Sequence, residues 1–226
     1  MDIKGAVALV TGASRGIGRA FARALLEQGA AKVYAGVRDP ATVTDPDLVP
    51  LQLDVTNPDH IAVAAAAAGD VDIVVNNAGI LGDRGNLLAG DLDVARQVME
   101  ANFFGTWAVS RAFAPVLARN GGGALVTMLS VASWRGSALT PGYSASKAAQ
   151  WSLTQALRDG LREQGTLVVG VHVGFVDTDG AAWADGPKVS AAEVAEATLK
   201  ALRDNQVEVL VDERARQLKA ALSQPL

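Results

Sequence analysis

The sequence predicts an α/β fold built on one doubly wound parallel sheet of about seven strands, with helices on both faces. Two observations predict it. Short β-branched apolar runs alternate with longer helical patterns, and the runs are apolar nearly throughout, as strands covered on both faces must be. The first run also leads directly into a glycine-rich turn and then a helix, the start of a Rossmann-type unit.

The first four strands are expected at Val7–Val10, Lys32–Val37, Val49–Leu53 and Ile73–Val75, and three more at Ala124–Leu129, Val168–Val173 and Val207–Val211. Helical spacing predicts helices at about 16–28, 58–68, 91–119, 143–164, 191–204 and 212–222. The stretch between Arg38 and Asp54 is too short and too rich in Pro, Asp and Thr for a full crossover helix. Residues Asp177 to Lys188, with several Gly, Asp and Ala, read as a mobile loop, placing a substrate loop at about 177–190. No repeat or linker divides the chain, so residues 1–226 are expected to form one domain.

Composition excludes several functions. Half of the 226 residues are hydrophobic, yet no apolar stretch approaches the roughly 20 residues of a membrane helix. The alanine run from Ile61 to Ala68 ends at Gly69 and reads as a buried helix. The absence of cysteine excludes disulfides, thiolate nucleophiles and cysteine-ligated zinc. The two histidines, His60 and His172, are far apart, so no metal site is expected. A net charge of -4 without a basic stripe argues against nucleic acid. Met1–Gly5 has no signal-peptide pattern, and the expected location is the cytoplasm.

Four motifs carry chemistry. In Thr11-Gly12-Ala13-Ser14-Arg15-Gly16-Ile17-Gly18 the glycines would let the backbone approach a pyrophosphate at a helix N-terminus, where negative charge is favoured; the bland alternative is an ordinary βα turn. Asn76-Asn77-Ala78-Gly79 follows the fourth strand, and Asn102 lies within the long helical pattern 91–119. Tyr143 and Lys147 stand one helical turn apart, on one face, with Ser130 upstream at the end of a strand. An ammonium there would lower the phenol's pKa towards a range useful for proton transfer, although the same spacing also suits a surface pair.

In order and spacing these motifs resemble the short-chain dehydrogenase/reductase family over most of the chain. The resemblance implies a dinucleotide site drawing on Gly12, Ser14, Arg15, Gly16, Ile17 and Gly18, with Asn77, Ala78 and Gly79 beside the adenosine. Asp54 and Val55 would meet the adenine. Gly174, Val176 and Thr178 resemble the family's segment beside the nicotinamide carboxamide, with Val173 in place of its proline. Tyr143 would be the general acid in reduction and the base in oxidation. Lys147 would hold the nicotinamide ribose, Ser130 would hydrogen-bond the substrate oxygen, and Asn102 would hold a water linking Lys147 to solvent. For Asn102 a purely structural hydrogen bond to backbone stays open.

Arg15 and Arg38, converging on one spot, would suit the 2'-phosphate of NADP(H), against which Asp39 at the end of the second strand argues. Trp134, Phe175 and Trp183, with Leu81, are candidates to line the pocket of an apolar or aromatic carbonyl or alcohol substrate, Trp134 and Trp183 being equally readable as packing residues. Trp151, Phe103, Phe104 and Trp107 would pack either the core or a subunit interface; the family resemblance implies a homodimer or homotetramer through helices 91–119 and 143–164. His172 reads as a packed strand-end residue and His60 as a solvated one. The chain is shorter than a typical member and ends in a charged amphipathic helix beginning at Asp212. The rival reading, an idle NADP(H)-binding sensor on the same fold, would be expected to lack Tyr143 or Lys147.

Overall fold

The seven β-branched runs become seven strands, β1 (Val7–Thr11), β2 (Lys32–Val37), β3 (Val49–Gln52), β4 (Ile73–Asn76), β5 (Ala124–Met128), β6 (Leu167–His172) and β7 (Glu208–Leu210). The structure is a computed structural model that describes residues 1–85 and 87–223. The strands form a seven-stranded sheet in the order β3-β2-β1-β4-β5-β6-β7, every pair parallel. Alternate residues feed two cores. Ala8 and Val10 face one side of the sheet, where Phe21, Leu25, Leu199 and Leu202 cover them. Leu9 faces the other side, against Ile61, Val109, Phe113 and Leu117.

The first side is covered by α1 (Gly16–Glu27) and α6 (Ala191–Arg203), the second by α2 (Pro58–Ala67), α4 (Gly105–Arg119) and α5 (Pro141–Gly160). Local chemistry sets the helix starts. Asn57 accepts from the Asp59 and His60 amides ahead of α2, with Pro58 at its first position. Ser190 and Glu193 form a reciprocal capping box on α6. Asp212 caps α7 (Glu213–Ala221) by accepting from the Ala215 amide.

Two expectations need correction. The single helix expected over 91–119 is α3 (Leu92–Met99), then a π turn at Glu100–Phe104, then α4. A π turn fits one extra residue into the helix, which a hydrophobic period of 3.6 cannot reveal. The segment 177–188 is not a bare loop. Val176 and Val189 form a parallel bridge at its base, Asp177 donates to the Val189 carbonyl at 2.8 Å, and Asp179–Ala181 forms a 3-10 turn. Its closed base and self-packed interior are those of an Ω-type loop. Between β2 and β3 there is only the 3-10 turn Pro40–Thr42, in place of a crossover helix. Pro50 sits in β3, which pairs with β2 alone, and an edge strand tolerates the missing donor.

The sheet grows from β1 to β3 in one direction and resumes at β4 on the other side of β1. At such a switch point the connections part, and a crevice opens beyond the C-terminal ends of β1 and β4. Phe113 is fully buried beneath the sheet. Phe113→Ala is expected to lower unfolding stability by about 3–5 kcal/mol, read as an earlier midpoint in urea denaturation.

Candidate active site

The crevice is floored by the glycine turn. Gly12 and Gly16 have φ of +68° and +54°, a region in which glycine alone is unstrained. At Gly18 the constraint is space: a Cβ would lie 2.2 Å from the Gly12 carbonyl oxygen and 2.5 Å from the Asn77 amide nitrogen. Asn77 closes the turn, its side chain donating to the Thr11 carbonyl at 2.9 Å. The Thr11 hydroxyl accepts from the Asn77 and Ala78 amides at 3.0 and 2.9 Å. Ser14 and Ile17 are half-buried in the same turn. The N-terminus of α1 has no side-chain cap and no acidic residue in its first turn. Its amide donors and positive dipole end therefore suit an anion brought by a ligand, and the turn fits a dinucleotide pyrophosphate.

Arg15 and Arg38 each have an acidic neighbour in the structure. Arg15 reaches across to Asp179 of the 177–188 loop at 3.3 Å, both side chains well exposed. Arg38 acts electrostatically on Asp54. Burial pushes the Asp54 carboxyl up, but hydrogen bonds from the Thr56 amide and hydroxyl, with the charges of Arg38 and His60, leave it below its ordinary value. His60 is half-buried and accepts from the Asp54 amide through Nδ1 at 3.4 Å, so it is not the solvated residue expected. Asp39 turns away from β2 to accept from the Ala41 amide at 3.0 Å. Val55 packs on the start of α4, where a Cβ on Gly105 would lie 2.8 Å from its Cγ2.

Ser130 follows β5, and Tyr143 and Lys147 lie in the first two turns of α5. The Ser130 hydroxyl accepts from the Ala132 amide at 3.1 Å and interacts with the Tyr143 phenol. Burial raises the Tyr143 pKa, opposed by its bond with Ser130. Lys147 donates to the Met128 carbonyl at 2.7 Å, with its ammonium 5.6 Å from the centre of the phenol ring. Its own pKa is lowered to about 7 by burial, so its charge is poised to change near neutrality.

Asn102 is fully buried in the π turn, and its side chain is a clamp. Its Oδ1 accepts from the Ile80 amide at 2.8 Å, and Nδ2 donates to the Ile80 carbonyl and the Ser146 hydroxyl, both at 2.9 Å. Both amide protons are used, one by the Ile80 carbonyl and one by the Ser146 hydroxyl. Gly79 lies beneath this clamp, where a Cβ would stand 2.9 Å from the Asn102 oxygen.

The facing wall is the segment after β6. The Gly174 amide donates to Asp212 at 2.8 Å, Val176 is buried, and the Thr178 methyl lies 3.4 Å from the Cβ position of Gly16. Phe175 and Trp183 meet edge to face at 5.7 Å, and the Arg84 guanidinium lies 5.0 Å from the Trp183 ring. Trp134 belongs to a different cluster. It stacks on His172 at 3.9 Å and contacts Trp151 edge-on at 6.5 Å, with Lys219 over its ring. Its geometry is that of the packing alternative. His172 is buried, and that burial lowers its pKa to about 4, leaving a neutral ring. A carbonyl only accepts, so the His172 Nδ1, 3.3 Å from the Ser130 carbonyl, carries the ring proton. Sequence reasoning missed this support because residues 130 and 172 meet only through the pairing of β5 and β6.

Comparison with known proteins gives a consistent answer. The family model for short chain dehydrogenases matches residues 6–186. A short chain dehydrogenase of Monascus ruber is 34% identical over 196 residues, a match spanning 79% of this chain but only 65% of that protein. A 3-oxoacyl-acyl-carrier-protein reductase of Vibrio cholerae is 34% identical over 189 residues, covering 79% of this chain and 77% of that one. Among solved structures, a short chain dehydrogenase from Burkholderia cenocepacia in complex with NADP superposes with a TM-score of 0.94 at 38% identity, covering 99% of this chain and 95% of the other. A family match across most of the sequence, joined to a shared fold along nearly its whole length, makes this chain a member of the short-chain dehydrogenase/reductase family of oxidoreductases.

Proposed function

We propose that this oxidoreductase uses NADP(H) to interconvert carbonyl compounds and alcohols, with Tyr143 as general acid and base. The observation that carries the reading is the grouping of Ser130, Tyr143 and Lys147 at the end of β5 and the start of α5, with an uncapped glycine turn in the neighbouring crevice. The cofactor supplies the hydride when bound. In reduction Tyr143 gives its phenolic proton to the carbonyl oxygen, and the raised pKa keeps that proton in place until it is needed. Ser130 donates a hydrogen bond to the same oxygen as negative charge grows on it. Lys147 holds the nicotinamide ribose and, when charged, favours the phenolate left on Tyr143. The main-chain groups of Gly174 and Val176, with Thr178, meet the carboxamide.

NADP(H) is favoured over NAD(H) by two features, one just after β2 and one in the glycine turn. The Asp39 carboxylate is engaged in capping its own 3-10 turn, which leaves it less free to hold a ribose hydroxyl. Arg15 is held only by an exposed ion pair, an interaction worth roughly 0–1 kcal/mol that a doubly charged phosphate readily displaces. The chain acts in the cytoplasm on small apolar or aromatic carbonyls, and among the described residues no helix is long and apolar enough to cross a membrane. Phe104 and Trp107, 46% and 47% exposed beside Phe103, support pairing of subunits through helices 91–119 and 143–164 as a dimer or tetramer.

Three outcomes test this reading. A panel of ketones and aldehydes followed by NADPH absorbance should show turnover, and Tyr143→Phe should cut kcat by about 10²–10⁴-fold with nucleotide binding intact. Wild-type protein that binds NADPH yet reduces no carbonyl would sink the proposal. Arg15→Ala with Arg38→Ala should weaken NADPH binding by roughly tenfold or more and leave NADH unchanged, whereas equal use of both nucleotides by the wild type would refute the phosphate role. For pH, Lys147 is charged below its pKa of about 7 and neutral above it. The kcat/KM for NADPH, which reports groups of the free protein, should therefore be level below that pH and decline above it, and Lys147→Arg should remove the decline.

A further inference from the structure

The segment that leads into α7 touches the end of β6 and the wall beyond it at three points. The Val211 amide donates to the His172 carbonyl at 3.0 Å. The Asp212 carboxylate divides its two oxygens between two tasks: Oδ1 accepts from the Ala215 amide at 2.8 Å, capping the helix, and Oδ2 accepts from the Gly174 amide at 2.8 Å. The Arg214 guanidinium then lies 4.7 Å from the Phe175 ring centre. Gly174 has no room for a side chain, since a Cβ would lie 2.7 Å from that Asp212 oxygen and 3.1 Å from the Arg214 Cδ. At its other end α7 is seated by Lys219, which donates to Glu208 at 2.8 Å and lies over the Trp134 ring stacked on His172.

We propose that Asp212 is a positioning residue for the active site, its second carboxylate oxygen fixing the backbone of Gly174–Thr178 and so the wall that orients the reacting end of the cofactor. The chain has Val173 at the position where a proline would stiffen this wall from within; the Val176–Val189 bridge holds its far end, and Asp212 holds the end nearest β6. A carboxylate suits the task because one group must serve two donors that face it from different segments, and a charged acceptor makes the stronger bonds. The proposal rests on the NADP(H) reading given above for what the wall faces, and on the structure alone for what holds it.

The two tasks of Asp212 can be separated. Asp212→Ser keeps a good helix cap but has only one short hydroxyl and loses the bond to Gly174. Hydrogen exchange of the variant, followed by mass spectrometry in the absence of nucleotide, should show roughly tenfold faster exchange over residues 173–178, with α7 unchanged. With NADPH and a carbonyl that the wild type reduces, kcat should fall roughly tenfold to a hundredfold, because a small displacement of the reacting end is costly. Affinity for 2',5'-ADP, which represents the adenosine half alone, should stay at the wild-type value. Asp212→Asn, which keeps an amide oxygen for each task in turn, should fall between the two. Unchanged exchange over 173–178, or equal losses in kcat, 2',5'-ADP affinity and thermal midpoint, would overturn the assignment. If the wild type reduces no carbonyl, the functional reading fails, while the exchange result still judges the brace.

Discussion

Helix α1 can meet the end of β1 only because Gly18 has no side chain to place against the Gly12 carbonyl, and much of the site follows from that contact. It aims the helix N-terminus across the crevice and leaves a slot that the Asn77 side chain fills by bonding the Thr11 carbonyl. Fixing Asn77 fixes Gly79 and Ile80 two and three residues on. Ile80 is gripped on both its amide and its carbonyl by Asn102, and Asn102 passes the constraint to Ser146 in α5. The Ser146 hydroxyl in turn donates to the Tyr143 carbonyl at 2.8 Å. A single run of hydrogen bonds thus joins the glycine turn to the tyrosine through three elements distant in sequence.

The sheet was legible because its signals are local. Apolar β-branched runs and the strand–glycine–helix junction need no knowledge of distant residues, and the seven strands stand where those patterns put them. The residues of the site were legible as types and spacings, but their electrical states were not. Separation along a helix could not show that burial acts on both groups, raising the Tyr143 pKa and lowering that of Lys147. The partners of His172, Trp134 and Asp212 were equally hidden, since each is brought to its neighbour by the β5–β6–β7 pairing and not by the chain around it.

Charges around the crevice are arranged with unequal firmness. Lys147 and Asn102 are buried and satisfied by backbone groups that belong to the sheet and its loops, so their positions are shared with the core. Arg15 and Asp179 meet at the surface, where solvent screens the pair and side-chain entropy opposes it. The two buried side chains therefore have little freedom, while the exposed pair at the rim can rearrange at small cost.

The π turn at Glu100–Phe104 carries a consequence for sequence length. Each residue of an α-helix advances its neighbours by about 100°, so the extra residue in the turn sets the rotation of α4 relative to α3. Deleting one residue between 100 and 104 would restore regular hydrogen bonding and at the same time swing Val109, Phe113 and Leu117 away from the sheet they now cover. The irregular turn is in this sense a unit of counting: it reconciles the face α3 offers to α5 with the face α4 offers to the core. A chain without it could keep every side chain of the site and still fail to bring them into one place.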